Sequence, residues 1–257
     1  MASALLIVHS NAVEGRHDDF NDWYSEIHIR DIMRMPGARG VQRFGRSAEP
    51  PPTLASASDL QFEFLTLYEV SDPRHIIEAH RKDMFTDRLP ISDALNFDSL
   101  IDCFYMSAMP GVDGLDAYTP PAGDVLLISL VPTAAPSEFE NWYLRECHPH
   151  VLSTPGVESG ELYRAGTQQS YPTPPEYPYV ALYRTSDRQV ALRGLDANAT
   201  RDRIAAGPIR TSATLIECFG PLIERLASER VVAASPEERD REARARVTLG
   251  DRVHAGE

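Results

Sequence analysis

Trp23-Tyr24-Ser25-Glu26-Ile27-His28, followed eight residues later by Pro36-Gly37, has a second version in the same chain: Trp142-Tyr143-Leu144-Arg145-Glu146-Cys147, followed by Pro155-Gly156. Trp and Pro are 13 residues apart in both (23 to 36, 142 to 155), and the versions are offset by 119 (23 to 142). Phe20 then meets Phe139, and Phe44 meets Tyr163. Downstream, Leu67-Tyr68-Glu69-Val70-Ser71-Asp72 matches Leu182-Tyr183-Arg184-Thr185-Ser186-Asp187 at an offset of 115 (67 to 182), and Leu100-Ile101-Asp102-Cys103-Phe104 matches Leu215-Ile216-Glu217-Cys218-Phe219 at the same offset (100 to 215). Ordered blocks at a nearly constant offset mark a tandem repeat.

Each copy reads strand, helix, strand, strand, helix, strand. In the first, Ala4–Ser10 is apolar and β-rich, and Asp18 is placed to cap a helix running to about Arg34, with Phe20, Trp23, Tyr24 and Ile27 at helical spacing. Pro36-Gly37 stops it. Gly40–Arg46 and Gln61–Val70 are strands around a Pro-rich loop, Ser47–Asp59; a helix follows from Pro73 to about Asp83, and Leu100–Met106 closes the unit. In the second copy, Ser137 and Glu140 suggest a capping box, Gly166–Pro178 is the hairpin loop and Thr214–Phe219 the last strand. The predicted class is α+β: two ferredoxin-like βαββαβ repeats, 1–112 and 122–226, with a charged tail, 227–257, expected as a solvated terminal helix. Both faces of each sheet carry apolar residues, and the helices cover only one. The two sheets are therefore expected to cover each other as a barrel within one chain, enclosing an apolar cavity. A pseudo-dimeric monomer suffices; a homodimer is compatible.

Composition narrows the function. Net charge is −13 and Lys82 is the sole lysine, which argues against nucleic acid and an anionic membrane as partners. No apolar run reaches the ~20 residues of a membrane span, and the N-terminus lacks a basic leader region. Three cysteines, Cys103, Cys147 and Cys218, suit a reducing cytoplasm better than a disulfide framework. Nucleotide-binding and metalloprotease signatures are missing, and the histidines are poorly spaced to converge on a metal (His148 and His150 at i, i+2; His75 and His80 at i, i+5). Neither cofactor nor metal is expected.

The Trp-Tyr-x-x-x-His element with its later Pro-Gly and aromatic strand, Leu67-Tyr68-Glu69, resembles the EthD-like branch of the dimeric α/β-barrel superfamily. Copy one has Arg30 where the family pattern has an inner proline; copy two keeps Pro149 but has Cys147 in place of the histidine, with His148 one residue later. The resemblance covers most of residues 3–226. It implies cofactor-free monooxygenases, polyketide cyclases, lactone isomerases or decarboxylases as relatives, some distant ones binding haem; fold alone does not choose among them.

His28 is the leading catalytic candidate. It shares a helix stripe with Tyr24 and Phe20, and Asp31 at i+3 is placed to orient its imidazole. A neutral histidine can take a proton from an acidic carbon or a phenol; the ordinary alternative is a histidine bonded to a nearby loop. Trp23, Tyr24, Tyr68, Tyr143 and Tyr183 are candidate substrate contacts in the barrel. Cys147 reads as a thiolate nucleophile or, more simply, a small buried replacement for histidine. Asp102 and Glu217 occupy matching places and read either as barrel-facing acids with raised pKa or as rim carboxylates paired with Arg43 or Arg46. The expected activity is cofactor-independent acid–base chemistry on a small aromatic or polyketide-like molecule, as cyclase, isomerase, dehydratase or decarboxylase. The alternatives are a cofactor-free monooxygenase and a non-catalytic binding or assembly protein.

Overall fold

The computed structural model describes residues 3–47, 62–115, 118–171, 174–196 and 198–255. Of the predicted loop Ser47–Asp59, all but Ser47 lies outside the described residues. Eight strands run β1 (Ala4–Ser10), β2 (Ala38–Arg46), β3 (Phe64–Val70), β4 (Ile101–Ser107), β5 (Val125–Leu130), β6 (Val157–Ala165), β7 (Tyr179–Thr185) and β8 (Leu215–Ala227). They close into one antiparallel barrel in the order β1-β3-β2-β8-β5-β7-β6-β4. Each repeat contributes four adjacent strands, and the seams β2–β8 and β4–β6 join the halves. β8 outruns its expected length: Phe219 back to Leu215 pairs with β5, and Phe219 to Ala227 pairs with β2. Its Pro221 sits beside a register shift, where a strand tolerates a residue without an N–H.

The barrel interior is filled. Leu5, Ile7, Phe44, Leu67, Val125, Leu127, Leu182 and Phe219 form one buried cluster inside it. The expected hollow between the sheets gives way to a core, because eight strands leave room for little more than their own inward side chains. The opposite sheet faces pack against helices in two separate clusters, one per repeat.

The long helix of each repeat is interrupted by one π segment. α1 (His17–Trp23) continues through Tyr24–His28 into α2 (Ile29–Met33), and the Ile29 N–H donates to the Tyr24 carbonyl. α4 (Pro136–Trp142) continues through Tyr143–Cys147 into α5 (His148–Leu152), with His148 N–H on the Tyr143 carbonyl. π segments concentrate at functional sites because they re-aim side chains. The first helix begins at His17, without a side-chain cap from Asp18; in the second repeat Ala135 is the cap residue and Pro136 the first helical residue, so the Ser137–Glu140 box does not form. α3 (Pro73–Asp83) starts as expected, its Asp72 accepting from the Arg74 N–H. α6 (Arg188–Asp196) and α7 (Asn198–Ala205) take its place in the second repeat.

The tail departs from its expected solvated form. After α8 (Ser228–Val232), α9 (Pro236–Ala255) opens with a reciprocal cap between Ser235 and Glu238 and lies on the first repeat. Val231 and Ala234 are buried, and Ala245 and Leu249 pack against the first repeat's core. Arg34 donates to both carboxylate oxygens of the buried Glu242 at 2.8 and 2.6 Å, and Arg246 bonds Glu242 and Asp31. Among the described residues no helix is long and apolar enough to cross a membrane.

Candidate functional site

A cavity opens between the sheet and the helices of the first repeat, outside the barrel. Leu6 and Val8 of β1, Tyr68 of β3, and Asp102 and Phe104 of β4 form its floor; Trp23, Tyr24, His28 and Ile32 wall one side and Ile76 and His80 of α3 another. Ser170 and Tyr171, from the second repeat's hairpin loop, reach across to line it. Its empty space, open mouth included, is about 700 Å³. Part of one copy's hairpin loop thus lies over the other copy's cavity.

The polar groups sit in an apolar wall. His28 lies 4.7 Å from the Trp23 ring and 4.9 Å from the Tyr24 ring, centre to centre, a double contact that the π segment permits. Its Nδ1 is buried without a hydrogen-bond partner. Burial, reinforced by the nearby His80 and Arg43, pushes its pKa down to about 3, so it is neutral near pH 7. Burial also lowers His80, while Asp102 pulls it back; Asp102 is raised by burial and held down by a Ser170 hydrogen bond and by His80. The Tyr68 hydroxyl donates to the Tyr24 hydroxyl at 3.4 Å. Behind Tyr24, Arg43 of β2 is buried against three rings, its Cζ 4.6 Å from the centre of Tyr24, 4.7 Å from Phe64 and 5.1 Å from Phe20.

Trp23, Tyr24, His28, Tyr68 and Asp102 therefore meet in one cavity, although on the helix side of the sheet and not in the barrel. Asp31 does not orient His28: it pairs with Arg34 at 3.2 Å and with Arg246. The helix turns its side chain toward the tail, where two guanidiniums compensate its burial. Glu217 is separated from the site as well. Leu6 pairs with Tyr68 as Leu126 pairs with Tyr183, and Val8 pairs with Asp102 as Ile128 pairs with Ile216. The counterpart of Asp102 is thus Ile216, one residue off the sequence match. By the same register His9 corresponds to Ser129. A one-residue slip reverses the face of every side chain in a strand. Glu217 consequently points into the barrel, 3.7 Å from His9 and 3.5 Å from Arg46. Burial raises its pKa to about 7 and lowers that of His9 to about 4.

Tyr143, Tyr183 and Cys147 belong to the second repeat's helix–sheet layer. There Tyr183 hydroxyl, Tyr143 hydroxyl and His148 Nδ1 bond one another, both contacts at 2.9 Å. Gly160 lets the Tyr183 ring lie against the sheet, since a Cβ there would come within 2.1 Å of it. Burial pushes the Cys147 thiol up to about 12, which removes it as a thiolate nucleophile.

Two residues escaped the sequence reading. His80 was weighed only as a metal ligand with His75, but it follows Ile76 by one helical turn and so shares that residue's buried face. Arg43 was considered only as a rim partner for a carboxylate. Among the described residues no group of three or more His, Cys, Asp or Glu is placed to hold a metal.

No family model and no curated protein matches the chain. Its fold is similar to that of an anthrone oxidase-like protein, at TM-score 0.56 and 11% identity, covering 91% of this chain and 96% of the other. It is also similar to a putative monooxygenase from Fusobacterium nucleatum subsp. nucleatum, at TM-score 0.50 and 9% identity, covering 86% and 93%. The likeness is one of fold: a closed eight-stranded antiparallel barrel, with both halves supplied by one chain.

Proposed function

We propose that the first repeat is a cofactor-independent acid–base site for a small aromatic or polyketide-like molecule. The observation that carries this reading is a half-buried histidine whose Nδ1 is buried without a hydrogen-bond partner, in a mostly apolar cavity that His80 and Asp102 also line. An acidic C–H or O–H of the substrate gives its proton to His28. A histidine held this far below its usual pKa keeps that proton only while the new anion lies beside it, so the proton returns readily to another substrate atom. His80 with Asp102 forms the second proton-handling pair, and Trp23, Tyr24 and Tyr68 orient the ring. Cyclisation, isomerisation, dehydration and decarboxylation all follow from this first step.

A second reading draws on the names of the two fold neighbours. The same anion reacts with O₂: a methylene becomes a carbonyl, one oxygen atom enters the substrate, the other leaves as water, and the substrate supplies the electrons.

Turnover of a panel of phenols and polyketide-like acids, followed together with oxygen uptake, tests both. Oxygen consumed in step with product supports the oxygenase, and product without oxygen supports the first reading. His28→Ala should retain the wild-type circular dichroism and lose at least about 100-fold in kcat/KM. Unchanged turnover would remove His28 from its role, and tight binding without turnover by the wild type would leave a binding protein.

A further inference from the structure

Arg43 is 1% exposed, the largest fully buried side chain among the described residues. Its Nη1 donates to Ser25 Oγ at 2.9 Å, while Nε and Nη2 are buried without a partner. No carboxylate lies within salt-bridge distance of it among the described residues. A guanidinium stays charged in proteins, and a buried charge is normally paired. Here three aromatic faces do the compensating, and rings offset only part of what an anion would.

The position of this charge is informative. It packs against the ring of Tyr24, a residue that lines the cavity, and it is among the influences on His28, Tyr24 and Tyr68. In the second repeat the register places Leu162 where Arg43 stands: Arg43 pairs with Thr66 two residues before Tyr68, and Leu162 pairs with Ala181 two residues before Tyr183. The second repeat's layer thus lacks the charge.

We infer that Arg43 makes this cavity selective for molecules that carry or acquire a negative oxygen, a phenolate or an enolate, and that it does so as a positioning residue acting through Tyr24. The other charged or titratable groups around the cavity are His28, His80, Asp102, Tyr24, Tyr68 and Tyr171. Of these only Asp102 brings negative charge, and Ser170 and His80 already answer it. The inference rests on the cavity being the substrate site. It does not require His28 to be the base.

The test uses 4-nitrophenol and the full chain. Absorbance distinguishes the bound phenol from the bound phenolate, at a pH where the free phenol is mostly protonated. Wild type should raise the phenolate-to-phenol ratio at least tenfold over solution. Arg43→Met should return it toward the solution value, and Arg43→Lys should keep part of the shift. The two ideas fail on different readouts: loss of turnover in His28→Ala tests the base, and the phenolate ratio in Arg43→Met tests the charge. If Arg43→Met does not fold, the wild type still decides the matter against 4-nitrotoluene, a neutral probe of the same shape: the phenol should bind at least tenfold more tightly. A bound phenol that stays neutral, equal affinity for the two probes, no binding, or an unchanged phenolate fraction in folded Arg43→Met would each overturn the inference.

Discussion

The two helix–sheet layers of this chain start from one plan and end with different chemistry. Both keep the Trp-Tyr pair on a π-interrupted helix and a tyrosine on the facing strand. Where the first layer has His28 and His80, the second has Cys147 and Leu195 at matching sequence positions, and where it has Arg43 and Asp102 the strand register places Leu162 and Ile216. Its tyrosines and His148 bond one another, while the first layer leaves atoms of His28 and Arg43 unpartnered around a cavity. In a single-module barrel made of two chains the sites must be identical; fusion lets one layer become a core while the other keeps unpaired polar groups.

The contrast can be attacked from either side. The largest effect is expected from moving a charge into the wrong layer. Ile216→Asp would bury an unpaired carboxylate beside Ile128 and cost about 3–5 kcal/mol in chemical denaturation. Asp102→Ile should cost nothing or stabilise, and abolish turnover. A similar loss for both would mean the layers are not functionally distinct. Next come the helix positions themselves. His28→Ala should lower kcat/KM by ~100-fold, equivalent to about 3 kcal/mol, whereas Cys147→Ala should leave kcat/KM unchanged and reduce stability by ~1 kcal/mol.

Acid should expose the first layer next. His9 and His28 cannot accept, when folded, the protons that the unfolded chain takes near pH 6.5. Their contribution is complete above about pH 6.5 and is lost as pH falls toward 4. Glu217, raised to about 7, works in the opposite direction, stabilising the fold below about pH 4.5 and losing that effect as pH rises through 7. Two histidines outweigh one carboxyl, so stability should fall by about 2 kcal/mol between pH 6.5 and 4.5. His28→Gln should remove roughly half of the histidine part; an unaltered pH slope would show that His28 is not buried neutral. The smallest effect concerns the tail. Arg246→Ala removes a partner of Asp31 and Glu242 and should lower the melting temperature by about 2–4 °C. It should disturb turnover only through the attachment of α2.

Much of the fold was legible because repeats and apolar periodicity are properties of sequence alone. The barrel followed from Trp23/Trp142, Tyr68/Tyr183 and the two-faced strands. The location of the site did not follow, because filling or hollowing a barrel depends on side-chain volume summed over both copies. The match of Leu100–Phe104 to Leu215–Phe219 misled for a physical reason: alternating apolar strands resemble each other at neighbouring registers, and only cross-strand pairing tells Asp102 from Glu217. His28 and its aromatic neighbours were readable from helical spacing. Asp31's partner was not, since it comes from residue 246 on the packed tail. His80 carried a signal that went unused, its place on the buried face of an amphipathic helix opposite the position of Leu195.

The most direct test of the account is a crystal structure of the full chain soaked with a small phenol or aromatic acid. Ligand density between β1, β3 and β4 and the His28 helix, beside His28 and Tyr24 and under Tyr171, is the predicted result. Density inside the barrel near His9 and Glu217, or between Tyr143 and Tyr183 in the second layer, would contradict it.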